Sequence, residues 1–143
     1  MVEVRLAEKE AERRACLRLR WTVFVEEQNV PPSLEVDEHD PAGAVHALAL
    51  LDGAPAGTGR FVAVEPGVAR IGRMAVVDGA RGNGIGTALL RFLEDEARKR
   101  GARLFTLNAQ VSARRFYEKA GYQAVGPIFK DADIPHVRMD RTA

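Results

Sequence analysis

The chain has 143 residues, enough for one domain (residues 1–143) with a hydrophobic core and too few for two. Apolar residues make up 46% and charged residues 29%, with a net charge of +1. This balance excludes a disordered chain, a membrane-spanning chain and a nucleic-acid binder that works through a basic surface. The single cysteine, Cys16, excludes an internal disulfide and fits a reducing compartment. The start, Met1–Arg5, is charged and alternating, unlike a signal sequence. A cytoplasmic location follows as the expectation, and 17 arginines against 4 lysines hint at a bacterial source.

In chain order, Val2–Leu6 alternates and predicts a strand. Lys9 to about Glu27 predicts one helix, with Ala15, Cys16, Leu19, Val23 and Phe24 on its apolar side, so Cys16 reads as a buried structural thiol. Asn29–Gly43 predicts a loop rich in proline and acid. Ala44–Leu51, Ala56–Val64 and Val68–Val77 predict a three-strand meander, turned by Asp52-Gly53 and by Glu65-Pro66-Gly67. A helix over Thr87–Arg100 ends at Gly101 and leads to a strand over Arg103–Ala109. Ser112–Lys119 predicts a short helix, and Tyr122–Val125 and His136–Asp140 two closing strands. The order is β-α-β-β-β-α-β-α-β-β. This is an α/β (α+β) chain with a mixed, mostly antiparallel sheet of about seven strands and helices on both faces.

The segment Arg81–Gly86 reads Arg-Gly-Asn-Gly-Ile-Gly and lies between a predicted strand and a predicted helix. Such a turn presents free backbone N–H groups at the positive end of a helix dipole, which suits a phosphate. Spacing decides against two common owners. A dinucleotide fingerprint through Gly82 and Gly84 needs glycine at position 87, which is Thr87, and no acid follows in Leu104–Asn108. A P-loop needs lysine directly after a glycine, and none stands there.

The spacing Arg-x-x-Gly-x-Gly, together with the element order, resembles the GNAT superfamily of N-acetyltransferases over nearly the whole chain. The strand Ile71–Val77 with the glycine loop resembles that superfamily's central acetyl-CoA motif. Asn108 and the run Ser112–Tyr122 resemble its next motif. Arg20–Gln28, Glu35-Val36-Asp37, Asp40 and Ile134–Val137 resemble the small bacterial YjcF-like subgroup. The resemblance implies acetyl-CoA as co-substrate, with its pyrophosphate on Arg81, Gly82, Asn83, Gly84, Ile85, Gly86 and Thr87. It also implies that the strand splays from Leu104–Asn108, so that the acetyl-pantetheine arm pairs with the backbone of Met74, Ala75 and Val76.

Acetyl transfer to an amine needs a neutral nucleophile, a stabilised oxyanion and a protonated leaving thiolate. Tyr117, protonated at neutral pH, is the candidate acid that also meets the cofactor. Asn108 either orients cofactor or water or caps a strand end. Arg73, mid-strand, is expected to pair with Asp78 or a phosphate. His46 and His136 each read as a satisfied structural histidine or as a contact of the site. Glu26, Glu27, Glu35, Asp37 and His46 are the candidates for removing the ammonium proton. The acids Glu27, Glu35 and Asp37 predict a lining for a small cationic amine, and a solvated loop without metal is the default for residues 35–40. The rival readings are a silent acyl-CoA-binding regulator and a peptide- or protein-modifying enzyme on the same fold. Homodimer formation is left open.

Overall fold

The computed structural model describes residues 1–35 and 43–143. Seven strands form one sheet: β1 Val2–Leu6, β2 Val45–Leu51, β3 Ala54–Glu65, β4 Val68–Val76, β5 Leu104–Gln110, β6 Gln123–Asp131 and β7 Ile134–Thr142. Their spatial order is β1-β2-β3-β4-β5-β7-β6. Only β4 and β5 run parallel; the other neighbours are antiparallel. That parallel pair requires a crossover, supplied by α3 (Ile85–Lys99). The remaining helices are α1 (Glu10–Arg20), α2 (Pro32–Glu35) and α4 (Arg114–Lys119). Among the described residues, no helix is long and apolar enough to cross a membrane.

The alternation along β2 assigns the two faces. Val45, Ala47 and Ala49 join a core with Ile85, Leu89, Leu90, Leu93 and Ala97 of α3. Leu48 and Leu50 point the other way, against Ala15, Cys16 and Leu19 of α1. Helices therefore cover both faces, as the two apolar periodicities dictate. Helix α3 lies close to the sheet because β3 carries Gly57 and Gly59 beneath it. A Cβ at Gly57 would stand 3.0 Å from both Ile85 and Leu89, and one at Gly59 only 2.5 Å from the Met74 sulfur.

Three elements depart from the expected ones. The first helix stays α-helical only to Arg20 and widens into a π-helical segment, Trp21–Glu27. Thr22, Val23 and Val25 are β-branched and resist the tighter turn, while hydrophobic spacing alone cannot separate the two helix types. The predicted loop contains α2, opened by Pro32 at a position where no N–H is needed. The last hairpin is longer than expected. Gly126 takes φ +83° in a bulge that lets β6 resume at Phe129, and Ala132 and Asp133 make the turn with φ of 51° and 62°.

One buried acid ties the C-terminal strands to α3. Glu94 is fully buried and accepts hydrogen bonds from the Tyr122 hydroxyl (2.7 Å), Arg91 (2.8 Å) and Arg141 (2.9 Å). The tyrosine is the only neutral donor of the three and alone satisfies Oε2 among the described residues. Tyr122→Phe strands that oxygen in the core. We expect it to cost about 1–3 kcal/mol, measured by urea unfolding, with the fold retained.

Candidate functional site

The pairing of β4 with β5 runs from Val68↔Leu104 to Ile71↔Leu107 and then stops, although both strands continue. The register of β4 against β3 slips by one residue in the same place, between Thr58↔Ala75 and Arg60↔Gly72. Arg73 is the extra residue and takes φ +51°. This bulge bends β4 away from β5 and breaches the sheet. The breach is a cavity of about 660 Å³ that reaches both faces of the sheet. Tyr117 and Phe116 of α4 line it on the α3 side, and Val23, Phe24, Glu27 and Gln28 on the α1 side.

Met74, Ala75 and Val76 form one edge of the cavity and Asn108 stands on the other. Asn108 is exposed and lies opposite Arg138 in β7. Beyond Ile71 the β5-facing backbone of β4 has no strand partner, so the edge can take an extended amide-bearing ligand. The glycine loop begins at the same end of β4. Gly82 and Gly84 have φ of +86° and +75°, and a side chain at either would meet nothing within 4 Å. Gly84 caps α3 in a left-handed conformation that glycine adopts without cost. Among the described residues, the amides of Gly82 to Thr87 find no backbone acceptor outside helices and strands. Asn83 folds back, its side chain donating to the carbonyl of Ala80 at 2.9 Å. A first helical turn of 15-residue α3 with open amides, clear of side chains at Gly82 and Gly84 and flanked by Phe116 at Gly86, fits a pyrophosphate.

Arg81 lines the cavity but is engaged within the protein. Its two terminal nitrogens grip Glu27 at 2.7 and 2.8 Å, and its Nε donates to the carbonyl of Val76 at 3.0 Å. The same contact holds the Glu27 carboxyl below the usual carboxylate range. Asp78 stands 3.4 Å from Arg81, whereas Arg73, expected beside Asp78, reaches the carbonyl of Leu34 at 3.4 Å and lies 4.0 Å from Glu35.

Tyr117 is 8% exposed and packs edge-on between Phe116 and Tyr122, with ring centroids 5.0 and 5.9 Å away. Burial raises its phenol to about 12. It therefore rests protonated and can serve as a donor, not as a base.

On the acceptor side the expected residues separate. Glu27 and His136 line the cavity. Glu35 does not: it is 3% exposed and paired with the buried Arg20 at 2.7 Å, so it anchors α2 and is closed to a substrate. His46 sits beside Arg60 on β2 and β3 and is not on the cavity wall. Asp37, with the rest of 36–42, lies outside the described residues. Among the described residues no group of three His, Cys, Asp or Glu side chains could hold a metal. The wall also contains Gln28, Gln110 and Arg70, which the sequence reading passed over. Gln110 lies just beyond the predicted end of its strand, and Gln28 just beyond the predicted helix; strand alternation would have put Gln110 on the face of Asn108.

Residues 8–143 match the family model of the acetyltransferase (GNAT) domain. The chain is 36% identical over 136 residues to the Bacillus subtilis (strain 168) protein named uncharacterized N-acetyltransferase YjcF, covering 94% of this chain and 95% of that one. A crystal structure of a Lactobacillus plantarum protein superposes with a TM-score of 0.91 at 30% identity, covering 99% and 97% of the two chains. That of an acyl-CoA N-acyltransferase from Pseudomonas aeruginosa gives 0.83 at 33% identity, covering 99% of each. The family match over most of the chain and the 36% identity to a relative covered almost end to end show that the chain belongs to the GNAT acetyltransferases.

Proposed function

We propose that the chain is a cytoplasmic enzyme of one domain that moves an acetyl group from acetyl-CoA to a primary amine of a small molecule, by direct attack in a ternary complex. The observation that carries this is the parting of β4 from β5 next to a glycine loop with open amides. The P. aeruginosa neighbour, named for acyl-CoA, supports the donor class. In this reading the amides of Gly82 to Thr87 hold the pyrophosphate, and three or four charge-assisted bonds at about 1.5–3 kcal/mol each supply much of the roughly 8 kcal/mol that micromolar affinity requires. The backbone of Met74 to Val76 aligns the pantetheine arm, and Asn108 faces it across the gap.

Tyr117 supplies the proton for the leaving thiolate. A phenol held near 12 does not give its proton to the thiolate of an ordinary thiol, which titrates at about 8.5, unless that proton is replaced as it leaves. The replacement comes from the attacking nitrogen, which must shed a proton in the same collapse. Tyr117 is then a relay between nitrogen and sulfur, and its burial keeps it from resting as phenolate.

Two variants test the reading. Gly84→Asp places a carboxylate over the open amides, and calorimetry should show acetyl-CoA binding at least about tenfold weaker, or about 1.4 kcal/mol. Unchanged affinity in a folded Gly84→Asp chain removes the loop from the site. Tyr117→Phe keeps the aromatic packing and should lower kcat by roughly 10²–10⁴-fold while acetyl-CoA affinity holds. A kcat within a factor of about two of the parent would make Tyr117 a packing residue.

The phenols also predict a pH dependence. Tyr117 and Tyr122 are the only tyrosines, and both are raised above the ordinary 10.0. A raised folded-state value stabilises the protonated form, so this contribution is whole below pH 10 and is lost as pH climbs through about 12. Phenolate absorbance should stay flat to pH 10 in the folded chain and rise near 10 in denaturant.

A further inference from the structure

Among the described residues, the acids and imidazoles on the cavity wall are Glu27, Asp131 and His136. Both oxygens of Glu27 are held by Arg81. Asp131 is exposed at the tip of the last hairpin. His136 differs from both. Its Nδ1 stands 2.7 Å from the carbonyl of Ile134. A carbonyl only accepts, so Nδ1 carries the hydrogen, and in the neutral ring Nε2 is left with the lone pair. The ring also stacks on Phe129 at 5.9 Å and 25°, which fixes its plane.

Strand register places its neighbour. His136 is paired with Gln110 across β5 and β7, on the face turned away from α3, because the adjacent Ala109 and Val137 belong to the α3 core. Gln110 donates its Nε2 to Gln28 at 2.8 Å, which leaves its own carbonyl oxygen as an acceptor. His136 and Gln110 thus stand opposite one another in the strand register on one wall of the cavity, the one with an imidazole lone pair and the other with an amide oxygen. An alkylammonium carries three N–H donors and can use both acceptors at once. The charged groups on the same cavity wall are Asp131 on β6, Arg60 on β3, Arg70 and Arg73 on β4, and Glu27 bonded to Arg81; Arg138, two residues along β7, is bonded to Asp140 at 2.9 Å.

We propose that His136 Nε2 is the base that takes the first proton from the acceptor ammonium, while the Gln110 carbonyl holds a second N–H of the same group. The proposal rests on the acetyl-transfer reading above. The proton balance is complete. A primary ammonium has three N–H protons and the product amide has one. The first leaves to His136, which becomes imidazolium and returns it to solvent after turnover. The freed nitrogen lone pair forms the C–N bond as the C–S bond breaks. The second proton leaves during that collapse and replaces the one Tyr117 gives to sulfur.

The test uses the full chain, acetyl-CoA and the best acceptor from a panel of alkylamines, polyamines, amino acids and amino sugars. In the parent, kcat/KM for the amine should rise with pH as the base sheds its proton. In His136→Gln that limb should vanish and kcat/KM at neutral pH should fall by roughly 10²–10⁴-fold, with acetyl-CoA affinity from calorimetry unchanged. Trifluoroethylamine, whose ammonium is far more acidic, arrives already neutral and should lose much less in the same variant, an outcome a merely structural histidine would not give. Gln110→Leu should raise KM for the ammonium acceptor without removing the pH limb. Long-range proton–nitrogen NMR of the parent, with His136 assigned by difference from the variant, should show the Nδ1–H form. An Nε2–H form overturns the assignment, as does a pH limb that persists in His136→Gln or moves instead in Glu27→Gln. A chain that binds acetyl-CoA but acetylates no amine overturns the functional reading and this assignment with it.

Discussion

Beyond Ile71 and Leu107, two neighbouring parallel strands stop bonding to one another, and their backbone donors and acceptors face a gap inside the sheet. Such groups are costly to leave unpaired when buried, so the breach persists only where something enforces it. The bulge at Arg73 does so. A non-glycine residue in the left-handed region costs about 1–3 kcal/mol, and the surroundings must hold it there. Here the Arg73 side chain is drawn to Leu34 and Glu35, and Met74 drops into the space above Gly59. The glycine of one strand and the short helix of a distant loop thereby fix the conformation of a third element. Arg81 at the start of the glycine loop, α4 and the π-helical segment all line the opening this creates.

The arginines act mainly as bolts. Arg20 fastens α1 to α2 through Glu35, Arg81 fastens the glycine loop to the π-helical segment through Glu27, and Arg91 and Arg141 converge on Glu94. Arg20, Arg81 and Arg141 use the planar guanidinium to meet a carboxylate across two elements, a task a lysine point charge performs less well, while Arg91 meets Glu94 within α3. The Glu27–Arg81 pair is about 40% exposed on both sides and contributes little to stability. Its effect is positional: it joins the acceptor wall to the loop at the mouth of the cavity. The acidic segment near position 30, which on charge alone reads as a lure for a cation, is spent in part on this internal fastening.

Much of the fold was legible because its signals are local. Alternation marked the strands, Asp52-Gly53 marked a turn whose residues both take positive φ, and Arg81–Gly86 marked the loop. The family resemblance added the parting of the strands. What escaped depends on contacts distant in sequence. Nothing near Glu35 announces that Arg20, fifteen positions away, will bury it. The Gln28–Gln110 bridge spans 82 residues and has no periodic signature. The π-helical widening keeps the apolar spacing of an α-helix while moving Glu27 and Gln28 over the cavity. The resumption of β6 at Phe129 was hidden by Gly126-Pro127, which reads as a break and is a bulge. His136 was legible in the sequence as a candidate contact of the site or a structural histidine; its partner at Ile134 and its stack on Phe129 exist only once the hairpin closes.

The same breach also explains how one cavity can run acid and base chemistry together. An intact sheet would separate its two faces by a layer of paired backbone. Where β4 and β5 part, Tyr117 approaches from the α3 face and His136 lies on the other, because β7 alternates Val137 toward the core and His136 away from it. The proposed donor and acceptor of protons are therefore held on different elements with unlike surroundings. Burial keeps the phenol protonated, while a carbonyl bond and a stacked ring keep an imidazole lone pair turned outward. Groups held on opposite faces by unlike surroundings do not neutralise one another, which is the condition for both to act in a single turnover. A sheet breached from face to face satisfies that condition, and the left-handed Arg73 is the local strain that keeps it breached.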